Sequence, residues 1–359
     1  MTKIYRSDFV RSHESASLDI NRVKQDPEAL KKLERAGIDP GQLANADLDQ
    51  DGKISGTSEL RALFQEADRF DSDNDATSMV ATDRAGLPTP AGKALSTLGL
   101  LLRNSEERRP QLNLNGPVGA GQANRRDDVL AVQQRLKDLG MDVTVDGRYG
   151  PGTQNALKLY EAMAGGYEEV SEANGVLRPG DALCRALDSP DAPRWERMPA
   201  ADVGFVNNDS DGFGYGSSRT ADVIRDVGQR YHDAYRGAND AAALIDINDV
   251  STRKGGKNRD HESHQAGLDI DVRLPKTDGT SGTQSNWRGY DREATYQMLK
   301  AFAQDERVER ILFTDPTLAR RLKQEALAGA TWAEKIQDGG TLHRNHFHVD
   351  VKAPGVPEE

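Results

Sequence analysis

Five of the seven histidines in this 359-residue chain lie in two short clusters near the C-terminus. The first cluster reads H-E-S-H-Q-A-G-L-D-I-D from His261 to Asp271, and the second reads H-R-N-H-F-H-V-D from His343 to Asp350. Histidine is the commonest metal ligand and the side chain that most readily transfers protons near neutral pH. Two such dense clusters predict a site that binds a metal ion and moves protons.

The residues around both clusters predict how they are positioned. Polar and apolar residues alternate from Gly267 to Arg273 and again from His346 to Val351. A period of two is typical of β-strands with one apolar and one polar face. If the two strands are neighbours, Asp271 and His348 share one surface, and His264 reaches it from the turn before the first strand.

Two imidazoles and one carboxylate leave one tetrahedral position open, which is the arrangement of catalytic rather than structural zinc. Water bound there would have a pKa of about 7. We expect His346 to act beside the metal as a base or an oxyanion stabiliser, with His343 sharing that work. Asp269 and Asp350 are candidates for carboxylates that orient a ligand histidine. A non-haem iron triad is disfavoured because six residues separate His264 from Asp271.

The two motifs resemble those of a known family. The segment S-H-Q-A-G-L-D-I-D at 263–271 and the segment H-R-N-H-F-H at 343–348 are similar to signatures of the penicillin-insensitive murein endopeptidases. These belong to the LAS-type zinc peptidases, which cut the short peptides of peptidoglycan. The similarity extends back through residues 246–256 and covers roughly residues 200–353. It implies an α+β domain in which helices flank an antiparallel sheet.

The resemblance also implies roles for individual residues. The zinc ligands would be His264, Asp271 and His348, and the catalytic residues would be His346 and His343. His261, three residues before the first ligand, matches an additional histidine of the family and is expected beside the ligands. Related D-alanyl dipeptidases and carboxypeptidases use a glutamate three residues before the last ligand, where this chain has Asn345.

A smaller module is predicted at residues 113–190. The stretch V-Q-Q-R-L-K-D-L-G at 132–140 has apolar residues near helical spacing and a glycine stop, and V-D-G-R-Y-G-P-G-T at 145–153 predicts a turn into a second helix. Together they resemble a small helical peptidoglycan-binding module. Such a module would hold the enzyme on its substrate and raise the local concentration. A compact spacer without affinity for the wall is the alternative.

The first 85 residues are predicted to form a helical domain with EF-hand-like calcium loops, followed by a linker at 86–112. The stretch D-L-D-Q-D-G-K-I at 47–54 resembles the start of an EF-hand loop, with alternate carboxylates and a glycine at the turn. The acid expected at position twelve comes one residue late. A second, degenerate loop begins at Asp71. The predicted calcium residues are Asp47, Asp49, Asp51, Lys53, Glu59, Asp71, Asp73 and Asp75.

Composition limits the remaining possibilities. A net charge of −11 argues against nucleic-acid binding, and no apolar run reaches the ~20 residues of a membrane span. With Cys184 as the single cysteine, neither an intramolecular disulfide nor a thiolate zinc site is available. The polar N-terminus lacks the apolar core of a secretory signal, so we expect export without a classical signal peptide. The site of action would then be the periplasm or cell wall, in a target cell.

The sequence therefore predicts a zinc endopeptidase at residues 191–359 that cuts peptide cross-links of the bacterial cell wall. An exported bacteriolytic toxin with a cognate immunity protein is the favoured role. Trp287 and Tyr290 are weak candidates for substrate contacts. The alternatives are a phage endolysin or a D-alanyl carboxypeptidase of the same fold, and a non-catalytic wall-binding protein with a structural metal.

Overall fold

The computed structural model describes residues 112–356 apart from 190–191, 210, 260 and 283–288. Before residue 112 it describes 2–5, 17–25, 29–30, 33, 38–39, 41–48, 53–55, 59–60, 62–64, 78–82 and 98. The chain divides into two compact units, Met1–Gln111 with Ser189–Ala192 and Leu112–Asp188 with Pro193–Glu359. The predicted wall-binding module and the predicted peptidase part therefore lie in the same unit. None of the helices in the described ranges is long and apolar enough to cross a membrane.

In its described residues, the first unit contains two antiparallel strand pairs and a small apolar core. Strand β1 (Thr2–Tyr5) pairs with β4 (Ser78–Thr82), and β2 (Ser17–Asp19) pairs with β3 (Lys53–Ser55). Helix α1 (Ile20–Gln25) follows β2 directly, and a 3₁₀ turn covers Gln42–Asn45. Leu18 and Ile54, opposite each other across the β2–β3 pair, are both buried in this core.

The predicted calcium loop is only partly described. Strand β3 occupies the second half of that loop and pairs with an upstream segment, Ser17–Asp19, rather than with the second predicted loop. The backbone N–H of Leu48 donates to the buried Glu59 carboxylate at 2.8 Å, so this late acid reaches back to the start of the loop. Asp47, Lys53 and Glu59 are described, whereas the other predicted calcium residues fall outside the described residues: Asp49, Asp51, Asp71, Asp73 and Asp75. Calcium binding stays a prediction.

The second unit begins with three helices, α2 (Arg126–Asp138), α3 (Pro151–Gly165) and α4 (Ala182–Asp188). The four residues that predicted the apolar face of α2 are all buried: Val129, Val132, Leu136 and Leu139. Gln133, also buried, fastens the following turn, because its carbonyl accepts from the N–H groups of Asp146 and Gly147 and its amide donates to Thr153 Oγ1. This network explains why the glutamine and the turn sequence occur together.

The rest of the unit is built on a mixed sheet. The strands are β6 (Ala201–Asp202), β7 (Phe205–Asn207), β9 (Ile245–Ile247), β10 (Asp269–Pro275), β11 (Ser281–Gly282), β12 (Val308–Leu312), β13 (Ile336–Gln337) and β14 (His346–Val351). Their order in the sheet is β13, β12, β14, β10, β9, β7, β6, with β11 beside β10. The pairs β12–β13 and β7–β9 are parallel, because a long connection that contains a helix joins the two strands of each pair. The other pairs are antiparallel, so the prediction of an antiparallel sheet was wrong for those two pairs. A separate pair joins β5 (Trp195–Arg197) to β8 (Tyr215–Ser217).

Helices cover the apolar face of the sheet, in agreement with the predicted α+β class. The helices are α5 (Ser218–Ala234), α6 (Arg292–Ala303) and α7 (Pro316–Leu327). Each begins at a side-chain cap, from Ser217, Asp291 and Asp315 respectively, which accepts backbone N–H groups of the first turn. Ile270 and Phe347 point from the central strands into the shared core, so the polar face of β10 and β14 is left for the site.

Candidate metal centre

The strands β10 and β14 bring the two histidine clusters together. Their antiparallel register places Asp271 opposite His348, and Arg273 opposite His346. Because side chains alternate between the faces of a strand, the residues at 269, 271, 346 and 348 share one face, as the alternation in the sequence predicts. Asp271 and His348 are buried, with 4% and 6% of their surfaces exposed.

His264 reaches this face from the turn before β10 through a strained backbone. Its φ angle is 61°, a left-handed conformation that non-glycine residues seldom adopt. The backbone N–H of His264 donates to the Asp269 carboxylate at 2.9 Å, and Ser251 Oγ donates to the His264 carbonyl at 2.6 Å. These contacts hold the residue in an otherwise unfavourable conformation. The ring is thereby directed onto the polar face.

Three atoms that could donate electron pairs to a metal ion converge in the centre of the site and form the donor triangle: His264 Nε2, Asp271 Oδ1 and His348 Nδ1. The distances are 2.9 Å between His348 Nδ1 and Asp271 Oδ1, 3.2 Å between His348 Nδ1 and His264 Nε2, and 3.4 Å between His264 Nε2 and Asp271 Oδ1. Ligand atoms on tetrahedral zinc lie about 3.3 Å apart when each bond is about 2.0–2.1 Å long. The set of two imidazole nitrogens and one carboxylate oxygen therefore fits a zinc ion.

The ring nitrogens that face away from this triangle also have partners. His264 Nδ1 lies 2.8 Å from the carbonyl oxygen of Val250, and His348 Nε2 lies 2.8 Å from Asp350 Oδ1. Asp350 is itself held by Arg310. Such contacts fix the tautomer and the ring orientation of metal-binding histidines. Asp269 is farther from His348 Nε2, at 3.5 Å, and its main contact is with the backbone of His264.

The electrostatics of the site favour positive charge at its centre. Burial lowers the pKa of His348, but contacts with Asp269, Asp271 and Asp350 outweigh it and raise this pKa to about 12. Burial would raise the pKa of Asp271, yet His264 and His348 hold it well below the ordinary value of a carboxyl group. The carboxylate thus stays ionised, and the surroundings stabilise either an imidazolium or a bound cation.

His346 lies beside the triangle, with Nε2 3.5 Å from Asp271 Oδ1. Burial lowers its pKa, which Asp271 offsets only in part, so the ring is neutral near pH 7. Its Nδ1 lies 2.9 Å from the side-chain oxygen of Asn345, which favours the tautomer with a proton on Nδ1 and a free lone pair on Nε2. The ring of His343 lies 5.2 Å from that of His346, with Nδ1 contacting the carbonyl of Gly339.

One further residue of the site could not be chosen from the sequence alone. Asp249 is buried and lies 3.2 Å from His261 Nε2, while Asn248 donates to the same carboxylate. The other nitrogen of His261 lies 3.9 Å from Asp271 Oδ2. His261 therefore connects two buried carboxylates next to the donor triangle. The only signal in the sequence was that Asp249 falls within 246–256, the stretch that resembles the endopeptidases.

Of the two predicted substrate contacts, only Tyr290 lies in the described part of the chain. Tyr290 packs against the main hydrophobic core, and burial raises the pKa of its hydroxyl. The guanidinium of Arg292 lies 5.3 Å from the centre of its ring. Trp287 falls outside the described residues. The structure thus places Tyr290 in a packing environment, and a substrate contact by Trp287 stays a prediction.

Comparison with known proteins agrees with both predicted similarities. Residues 125–166 match the family model of a peptidoglycan binding domain. The chain is 30% identical over 134 residues to a penicillin-insensitive murein endopeptidase from Escherichia coli O17:K52:H18, covering 33% of this chain and 48% of that protein. Its identity to the proteins of that name from E. coli K12 and Shigella boydii serotype 18 is 31% over 125 residues, covering 30% of the chain and 45% of each relative. The match therefore spans about half the length of these relatives.

Proposed function

We propose that this chain is a zinc-dependent peptidoglycan endopeptidase that cuts peptide cross-links of the bacterial cell wall. The observation that carries the proposal is the convergence of His264 Nε2, Asp271 Oδ1 and His348 Nδ1 within 3.4 Å of one another. The similarity to murein endopeptidases and the peptidoglycan-binding domain at 125–166 support the choice of substrate.

His264, Asp271 and His348 would hold the metal, while Val250 and Asp350 would keep the two rings in their binding orientation. Zinc bound there would supply Lewis acidity and a water molecule whose pKa is about 7. Because this chain would supply only three ligand atoms, that water or the substrate carbonyl could also reach the metal.

The residues next to the donor triangle suit proton transfer. His346 is neutral near pH 7 and its Nε2 lone pair is free, so it can accept a proton from the attacking water. The same nitrogen then donates the proton to the amine that leaves when the amide bond breaks. Asn345 keeps the required tautomer, at the position where related dipeptidases have a glutamate base. The ring of His343 lies 5.2 Å from that of His346 and 5.7 Å from that of His348, and His343 is proposed to assist at the leaving group.

Digestion of purified Gram-negative sacculi tests this function directly. The intact protein and the His348→Ala variant are incubated with sacculi, and the released muropeptides are identified by mass spectrometry. Loss of cross-linked dimers with the intact protein alone supports an endopeptidase and identifies the bond. Shortened stems on uncut dimers would indicate a carboxypeptidase instead. Unchanged muropeptides with zinc bound would favour a wall-binding protein with a structural metal.

The proposed biological role is a bacteriolytic toxin that is exported to the wall of a target cell, with a phage endolysin as the alternative. Calcium is proposed as a second cofactor of the first unit, on the motif at 47–54 and the contact of Glu59 with Leu48. A calcium titration that leaves the melting temperature unchanged would exclude the cofactor. Co-expression with a neighbouring gene product that abolishes lysis would support the toxin role.

A further inference from the structure

The helical module and the peptidase part line a cavity of about 690 Å³ that is open to solvent. One wall comes from the turn at 142–153 and from helix α3, and the opposite wall comes from the loop 252–257 and Gln265. The loop 252–257 precedes the histidine cluster in the chain. Both walls belong to the same compact unit, so the cavity is part of one folded body.

The contacts between the two parts are specific. The side-chain oxygen of the buried Gln265 accepts the backbone N–H of Val170, which lies 95 residues earlier. The N–H of Trp195 donates to the carbonyl of Leu139 in the module, and within the peptidase part the indole N–H of Trp195 donates to the carbonyl of Arg253. A small apolar cluster from both parts lies beside these bonds: Ala162, Ala173, Ala266 and Leu268.

Glycine permits the closest approach of the loop to the module. Gly255 has a φ of 60°, and a Cβ atom there would lie 2.5 Å from the side chain of Leu159 on helix α3. Gly256 donates its N–H to the carbonyl of Gln265, the residue that follows the proposed ligand His264. The loop is therefore linked on one side to the module and on the other to the candidate metal centre.

The cavity is cationic although the chain as a whole is acidic. Its lining includes five basic residues, namely Arg148, Lys158, Arg253, Lys254 and Lys257, and three acidic residues, namely Asp142, Asp146 and Glu169. Each acid is already engaged: Asp142 by Lys254, Asp146 by Gln133 and the N–H of Arg148, and Glu169 by Ser171. In the part of the chain that the structure describes, Arg253 and Lys257 make no ion pair.

We propose that this cavity binds the carboxylates of a cell-wall stem peptide, with Arg253 and Lys257 of the peptidase part as the recognising cations. This rests on the proposed function for the choice of an acidic peptide as the ligand. The net charge of −11 repels longer polyanions, whereas a short peptide with two or three carboxylates fits a locally basic cavity. The peptidase loop would thus supply part of the binding site that a module of this kind would otherwise form alone.

Binding is tested with the full-length chain after zinc is removed with 1,10-phenanthroline, so that no substrate is consumed. The probes are a disaccharide-tetrapeptide muropeptide and the same molecule with its carboxylates amidated. We expect the free acid to bind about tenfold more tightly than the amide, because charge-assisted hydrogen bonds are among the stronger polar contacts. The double variant Arg253→Gln/Lys257→Gln should lose about the same factor.

The matched control is the double variant Lys137→Gln/Arg178→Gln, which removes two exposed cations of the module that do not line the cavity. It should bind the free acid like the unmodified chain, and melting curves verify that both variants fold. Equal binding of the acid and the amide, or equal affinities of the two double variants, would overturn the proposal. Carboxylate-dependent binding by a chain that leaves sacculi uncut would support this site and refute the endopeptidase.

Discussion

The candidate metal centre and the cavity between the helical module and the peptidase part contain adjacent residues of the chain, His264 and Gln265, but are built in opposite ways. In the centre, the donors are buried and each is held by a second group, such as Asp350 on His348. In the cavity, the recognising cations are long, exposed side chains on a loop. Rigidly held metal-binding atoms suit chemistry that depends on distances of tenths of an ångström. Charged groups on long, flexible side chains can instead adjust to ligands of different shape.

This contrast predicts the largest effect at the donor triangle. His264→Ala removes a proposed ligand and should lower the rate of cross-link cleavage at least about a thousandfold, because metal catalysis contributes several kcal/mol and each 1.4 kcal/mol is a factor of ten. Zinc content, measured by elemental analysis, should fall with it. The control His232→Ala removes a histidine of helix α5 outside both clusters and should retain activity. Full cleavage by His264→Ala would refute the zinc centre.

Substitution of His346 should lower the rate of cleavage without reducing zinc binding. We expect His346→Gln to lower kcat by about 10² to 10⁴ while zinc content is retained, since a positioned acid–base group contributes that much. Burial lowers the pKa of this ring, so the neutral base is present at pH 7 and is lost only as the pH falls through a value below the ordinary 6.5. The rate should therefore decline on the acid side. That limb should disappear in the variant, and its persistence would assign the base elsewhere.

Local features of this fold were predictable, and contacts between distant segments were not. The alternation at 267–273 and 346–351 predicted strands β10 and β14 and the polar face of each, because strand periodicity is a property of a few consecutive residues. Their pairing was a separate hypothesis, which the register in the structure supports. The buried face of helix α2 followed in the same way. The contact of Gln265 with Val170 has no local signature, and Asp249 was one carboxylate among 58 acidic residues. The left-handed backbone of His264 also depends on partners outside its own segment.

A smaller effect is expected where a carboxylate orients a ligand without touching the metal. Asp350→Asn keeps the shape but weakens the contact with His348 Nε2, and loss of such a partner typically costs about 10- to 100-fold in metal affinity. Zinc competition with a chromogenic chelator measures this constant. The control Glu309→Gln changes an exposed acid on the neighbouring strand β12 and should leave the affinity unchanged. Equal zinc affinities for the two variants would show that Asp350 does not support the ligand.

The smallest effect is expected from removing the hydrogen bond between Val170 and Gln265, which joins the helical module to the peptidase part. Gln265→Ala removes the acceptor of the half-buried N–H of Val170, which water can then reach, and should lower the free energy of unfolding by about 0.5–1.5 kcal/mol, as measured by urea denaturation. Gln324→Ala, an exposed change on helix α7, should stay within about 0.5 kcal/mol of the unmodified chain. If the junction is rigid, Gln265→Ala should also weaken muropeptide binding, because the cavity wall loses its anchor. A variant as stable as the control, with unchanged binding, would mean that the module and the metal centre act independently.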